Sequence, residues 1–320
     1  MIARVMLAAL LTAAPFCAAA AQQPTMPIPA PAPALPDELV LKGDNIITVL
    51  VNGVPVRLEV TSEAFGPPII NPDLAADLML IPEFQRGWRF GPAAVEGRSA
   101  RVLVDFGAGG LPLAMSWSDF PVSDKADGII GPHYLPHRRV TMVLRPTGEG
   151  ERVQRFAMKR SGGSGNQRLG AEVTVGKKQL VMIFVNDRAE NLITAPTANF
   201  IATHQEGGFL PNSDGIAVMN FGIERPTRIM RIAEPIMLGE LAVDRFAVRV
   251  EDYGDPKRVG EIGANDPRFA KNRILVSRRK GRGTPDLLTR LGRDQIAHCS
   301  RLTYDMALGE IRLSCGPAPE

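Results

Sequence analysis

Apolar and polar residues alternate over short stretches along most of the chain, and Gly, Asn and Pro punctuate them. "ITVLVNGVPVRLEV", residues 47–60, is two such stretches around Asn52-Gly53, a dipeptide that favours the tight turn of a β-hairpin. "AEVTVGKKQLVMIFV", residues 171–185, repeats the pattern around Gly176-Lys177. Helical periodicity is confined to short stretches, such as those that follow Pro72 and Pro196. The pattern predicts an all-β protein with short helices.

Both hairpins open longer blocks of matching order. After the second strand of each comes a polar triplet, then Ala64 or Ala189, an apolar pair, a Pro and a helical stretch. This alignment sets Val60 against Val185 and Thr61 against Asn186. Later, "DGIIGPHYLPHRRVTMVL" (127–144) matches "LLTRLGRDQIAHCSRLTYD" (287–305), which pairs Gly131 with Gly292 and His137 with His298. Two patterns in one order in both halves define an internal repeat. The division predicts an N-terminal lobe over 38–150, a Gly/Ser linker over 151–168 containing "SGGSGNQ", and a C-terminal lobe over 169–320.

The first 21 residues hold one early Arg, an apolar run and several alanines, the layout of a cleaved signal peptide that would also remove Cys17. Residues 22–37 read as a Pro/Ala-rich linker. No later run is long and apolar enough for a transmembrane helix, so the expected location is periplasmic or secreted. In that compartment a disulfide persists. Cys299 and Cys315 flank "SRLTYDMALGEIRLS", two alternating segments around a turn near Leu308-Gly309, which predicts a bond at the open end of a hairpin. The formal net charge is +3, too near neutral to suggest nucleic acid as a partner.

The paired blocks resemble the aspartic proteases, in particular the retropepsin-like lobe and the bilobal pepsin-like arrangement. "VTSEA" and "VNDRA" stand where that family carries Asp-Thr/Ser-Gly-Ala/Ser, and "IIG" and "RLG" stand for its later apolar-apolar-Gly segment. The resemblance implies a double β-barrel with a peptide-holding cleft between the lobes. It also implies structural roles for Gly131 and Gly292. The departures bear on chemistry. Peptide hydrolysis in the family needs two adjacent carboxylates that share a proton. Thr61 and Asn186 occupy both positions, and neither can take a proton from water. Glu63 and Arg188 replace the motif glycines, and the two would face each other as a charge pair between the lobes.

Catalytic alternatives are few. Glu63 and Asp187 are the displaced carboxylates nearest the lost positions, although a one-residue shift along a strand turns Asp187 to the opposite face. Asp105-Phe106-Gly107-Ala108 mimics the motif but comes too late in its lobe, and reads as a strand entering a Gly-rich hairpin. His133 and His137 sit among prolines without the glutamate of a zinc helix, so no metal or other cofactor is expected. Ser62 has no evident His/Asp company. The basic stretch "SRRKGRG", 277–283, reads as a solvated loop. Three functions remain open. The leading one is an inactive protease-like protein that binds an extended peptide or envelope protein through Thr61, Ser62, Glu63, Asn186, Asp187 and Arg188. The others are an active endopeptidase using Glu63 and Asp187, and a purely structural secreted protein.

Overall fold

The computed structural model describes residues 34–162, 167–252 and 287–317. The expected signal peptide, most of the Pro/Ala linker and the basic stretch 277–283 lie outside them. The described residues cluster as one compact unit. Among the described residues no helix is long and apolar enough to cross a membrane.

After β1 (Glu38–Leu41), the first lobe contains β2 (Ile46–Val51), β3 (Val54–Val60), β4 (Ile69–Ile70) and α1 (Pro72–Asp77). It continues with β5 (Phe84–Phe90), β6 (Ala93–Asp105), β7 (Gly110–Ser118) and β8 (Gly128–Ile130). Its sheet runs β2-β3-β8-β4-β7-β6-β5, and a further pairing of Leu50 and Val51 with Asp105 and Val104 closes it into a barrel. Asn52 and Gly53 both take positive φ, as a two-residue hairpin turn requires. Val49, Val51, Val56, Leu58 and Val60 turn inward, so the alternation read from sequence is the barrel's inside and outside.

Next come β9 (Arg139–Val143), β10 (Arg152–Ser161), β11 (Arg168–Val175), β12 (Lys178–Phe184), β13 (Leu192–Thr194) and α2 (Ala195–Gln205). The chain then forms β14 (Gly207–Val218), β15 (Glu224–Leu238), β16 (Leu241–Arg249), β17 (Leu288–Leu291), β18 (Cys299–Asp305) and β19 (Glu310–Cys315). Pro196 in the first turn and the Thr194 side chain, which accepts from Thr197 N–H, start α2. Seven strands of the second sheet follow the order β11-β12-β17-β13-β16-β15-β14. Position for position this is the order of the first lobe, so the fold is all-β and bilobal, with the repeat expressed as topology.

Between the lobes lies the run β1-β9-β18-β19-β10, continuous with the second lobe's sheet. β9 and β18 each close one half of the repeat, and they pair antiparallel with Thr141 opposite Thr303. The two hydroxyls are 2.8 Å apart and mark the pseudo-twofold axis. Cys299 and Cys315 face each other across β18 and β19 and are joined by the predicted disulfide.

One expected boundary is corrected. Residues 152–161 of the supposed linker form β10, which pairs with β19 on one side and β11 on the other. Only residues 163–166 of its Gly/Ser stretch lie outside the described residues. "RVQRFAMKRS" gave little warning, because its Arg and Lys residues occupy outward strand positions while Phe156 packs inward.

Candidate functional site

The loop after β3 and the loop after β12 meet at the lobe interface, each crossed by its own later strand. Thr61 N–H donates to the Ile130 carbonyl, and Val185 N–H donates to the Leu291 carbonyl. Ile130 and Leu291 directly precede Gly131 and Gly292, so the equivalent of Thr61 is Val185, not Asn186. The first loop spans 61–68 and the second 185–191, one residue shorter, which is why aligning the motifs by their alanines misplaced the register. By the same register Ser62 matches Asn186, Glu63 matches Asp187, and Arg290 occupies the place of Ile129. Gly292 is needed for the crossing, since a Cβ there would lie 2.2 Å from the Ala189 carbonyl oxygen. At Gly131 the nearest atom would belong to the His133 ring, a softer restriction.

Buried polar residues hold the two loops together. Ser62 Oγ donates to the Phe184 carbonyl at 2.5 Å, a hydrogen bond from one lobe to the other. Thr61 Oγ1 accepts from Glu63 N–H at 3.1 Å and lies 3.5 Å from Asp187 Oδ2. Glu63 does not pair with Arg188 as expected. Its Oε1 lies 2.5 Å from Arg290 Nε, both side chains almost wholly buried. Arg188 instead donates from Nη2 to the Val218 carbonyl at 2.7 Å. The reason is positional. Arg290 replaces an apolar residue on a buried strand, and its guanidinium is stable there only beside a counter-charge.

The two carboxylates have diverged. Burial alone would raise the Glu63 pKa, but the guanidinium groups of Arg290, Arg168 and Arg188 outweigh it and hold the carboxyl below its ordinary range. Asp187 keeps contact with solvent, yet the protein around it, followed by the Glu63 charge, pushes its carboxyl up to about 6. The sequence expectation turned Asp187 away from the site. It lines the cleft instead, because the corrected register puts it two residues past Val185, as Glu63 is two residues past Thr61.

Thr61, Glu63, Asp187 and Arg188 line a cleft of 560 Å³, with Glu59, Asp124, Lys125 and Glu190 around them. Ser62 and Asn186 are not among its lining residues. A second recess of 1220 Å³ is lined by Arg86, Arg168, Arg290, Trp88 and Phe90, and Glu63 is not among its lining residues. Among the described residues His133 belongs to no cluster of three or more metal-binding groups. Its ring packs at a tilt against Tyr134, and burial followed by the Arg160 charge lowers its pKa to about 4. His137 lies close to the Pro36 carbonyl. Asp105 caps its own Gly-rich turn by accepting from Gly107 and Gly109 N–H, which is the hairpin reading of that motif. His298, Cys299 and Cys315 come close together, but both sulfurs are committed to the disulfide.

Sequence reasoning missed Arg290, Val185 and the aromatic residues Trp88 and Phe221. Arg290 was detectable in principle, since "TRLG" puts a charge where the other half has "GIIG". A charge at that place calls for a buried carboxylate, and Glu63 breaks its own motif in the same way.

No protein-family model and no curated protein matches this chain. Among solved structures it is similar to the EIAV protease in complex with an inhibitor. That match has 18% identity, covers 28% of this chain and 84% of the other, and has a TM-score of 0.21.

Proposed function

We propose that this is an exported, aspartic-protease-like protein that binds an extended peptide or envelope-protein segment between its lobes and does not hydrolyse it. The supporting observation is the Glu63–Arg290 ion pair, which fixes one of the two available carboxylates in its ionised form at the floor of the site. A water-activating dyad shares one proton between two carboxylates. Here Thr61 and Val185 stand at the equivalent positions, and the Thr61 hydroxyl lies 3.5 Å from the Asp187 carboxylate. Binding is supported by the open cleft and by β14, which ends its sheet with Ile216 and Val218 exposed beside that cleft. Such an edge offers backbone groups to an added strand.

The rival reading, an endopeptidase, draws on one observation. Glu63 and Asp187 are shifted in opposite directions, as an ionised and a protonated carboxyl would be. Incubation of the purified protein with a diverse peptide library at pH 3–7, read by mass spectrometry, separates the two. Peptides that stay intact and co-elute with the protein on gel filtration support binding, and intact peptides that do not co-elute count against it. Cleavage that vanishes in Asp187→Asn supports the endopeptidase.

A further inference from the structure

The hairpin β5–β6 of the first lobe and the hairpin β14–β15 of the second are topological equivalents, because each forms the end pair of its sheet. Their tips meet across the lobe boundary. The Phe221 ring centroid lies 4.8 Å from Trp88 and 6.2 Å from Phe90, and Phe65 packs edge-on against Phe90 at 6.0 Å. These rings belong to one buried cluster with Ala64 and Ile69 beneath the first hairpin and Leu192 and Ala247 beneath the second. The space under the two tips is therefore filled with side chains. Below it the Glu63–Arg290 pair continues the wall, Glu63 lining the 560 Å³ cleft and Arg290 lining the recess behind. The cleft and the recess have no lining residue in common.

Resting on the peptide-binding reading, we propose that the cleft is a blind groove that receives the amino-terminal end of an extended chain and excludes internal segments. A chain running between the lobes would have to displace the aromatic wall. A chain end approaching along the outer edge of β14 does not. The choice of end follows from charge. Lys125 lies 3.7 Å from Glu59, Arg290 neutralises Glu63, and Arg188 is turned to the Val218 carbonyl. Asp124, Asp187 and Glu190 also line the cleft, and with the Arg188 charge set against them a surplus of two acidic groups remains, which attracts an ammonium and repels a carboxylate. Glu63 uses Oε1 for Arg290, and its buried Oε2 accepts no hydrogen bond among the described residues, which leaves an acceptor at the inner end. The raised pKa of Asp187 is consistent with a group whose ionised form gains from an incoming cation.

The test uses two random hexapeptide pools, one with free amino termini and one N-acetylated, passed over the immobilised protein at pH 7. Wild type retains the free-amine pool roughly tenfold better, the size of one hydrogen bond to a charged group. Asp187→Asn removes most of that preference. Phe221→Gly, which suits the positive φ of 65° at this position, opens the inner wall and brings retention of the acetylated pool to within about threefold of the free pool. Equal retention of both pools by wild type, or an unchanged preference in Asp187→Asn, overturns the amino-terminal assignment while leaving peptide binding in place. Retention of neither pool overturns the peptide-binding reading itself.

Discussion

Glu63 and Arg290 are each out of place by the logic of their own segment, and each accounts for the other. Replacing Glu63 with Gln leaves a buried guanidinium without a counter-charge, and denaturant unfolding should show a loss of about 3–5 kcal/mol. The double change Glu63→Leu with Arg290→Met should recover most of that loss, because it removes both desolvation costs together. Asp187 gives the opposite pH signature. Its folded pKa of about 6 lies above the unfolded 3.8, so the native state holds the extra proton between those values and stability falls as pH rises through the window. Melting curves of Asp187→Asn should lack that decline between about pH 4 and 6 and exceed wild type at pH 7. At this scale the sequence singled out Thr61 in the first loop but took Asn186 for its equivalent in the second, where the structure has Val185. The identity of the charge partner was not legible, because Arg188 and Arg290 differ only in where the fold carries them.

The strands, hairpins and crossing segments could be read from alternation and repeat, since a half-buried strand has no other pattern available to it. What failed was local. A loop shorter by one residue moved Asp187 from the wrong face to the right one, and a basic stretch read as a linker proved to be β10. The meeting of the hairpin tips was also invisible, because Trp88 and Phe221 lie far apart in sequence and only the topology makes them neighbours. Phe221 carries a prediction for its element. At its left-handed φ of 65°, Phe221→Gly should unfold at higher denaturant than Phe221→Ala by about 1 kcal/mol, although both lose the same ring contacts. The reverse order would mean that the turn relaxes away from this conformation.

For the whole molecule, the pseudo-twofold places like against like. β9 meets β18, one site loop meets the other, and one hairpin tip meets its counterpart. The Cys299–Cys315 bond ties the hairpin between β9 and β10 in the shared sheet, with a sequence separation of 16. Serine at both positions should lower stability by about 3 kcal/mol in the chain-entropy account. Intact protein should show no titratable thiol from this pair on unfolding without reductant. On the proposed reading, the two lobes together supply one titrating carboxylate where a hydrolase would need two that share a proton. Carbon-13 NMR titration of the Glu63 and Asp187 carboxyl groups in the full chain tests this. Asp187 should titrate in a single step near pH 6, while Glu63 stays ionised to below the ordinary carboxylate range. Two linked steps seen at both carboxyls would mean a shared proton and would contradict the account.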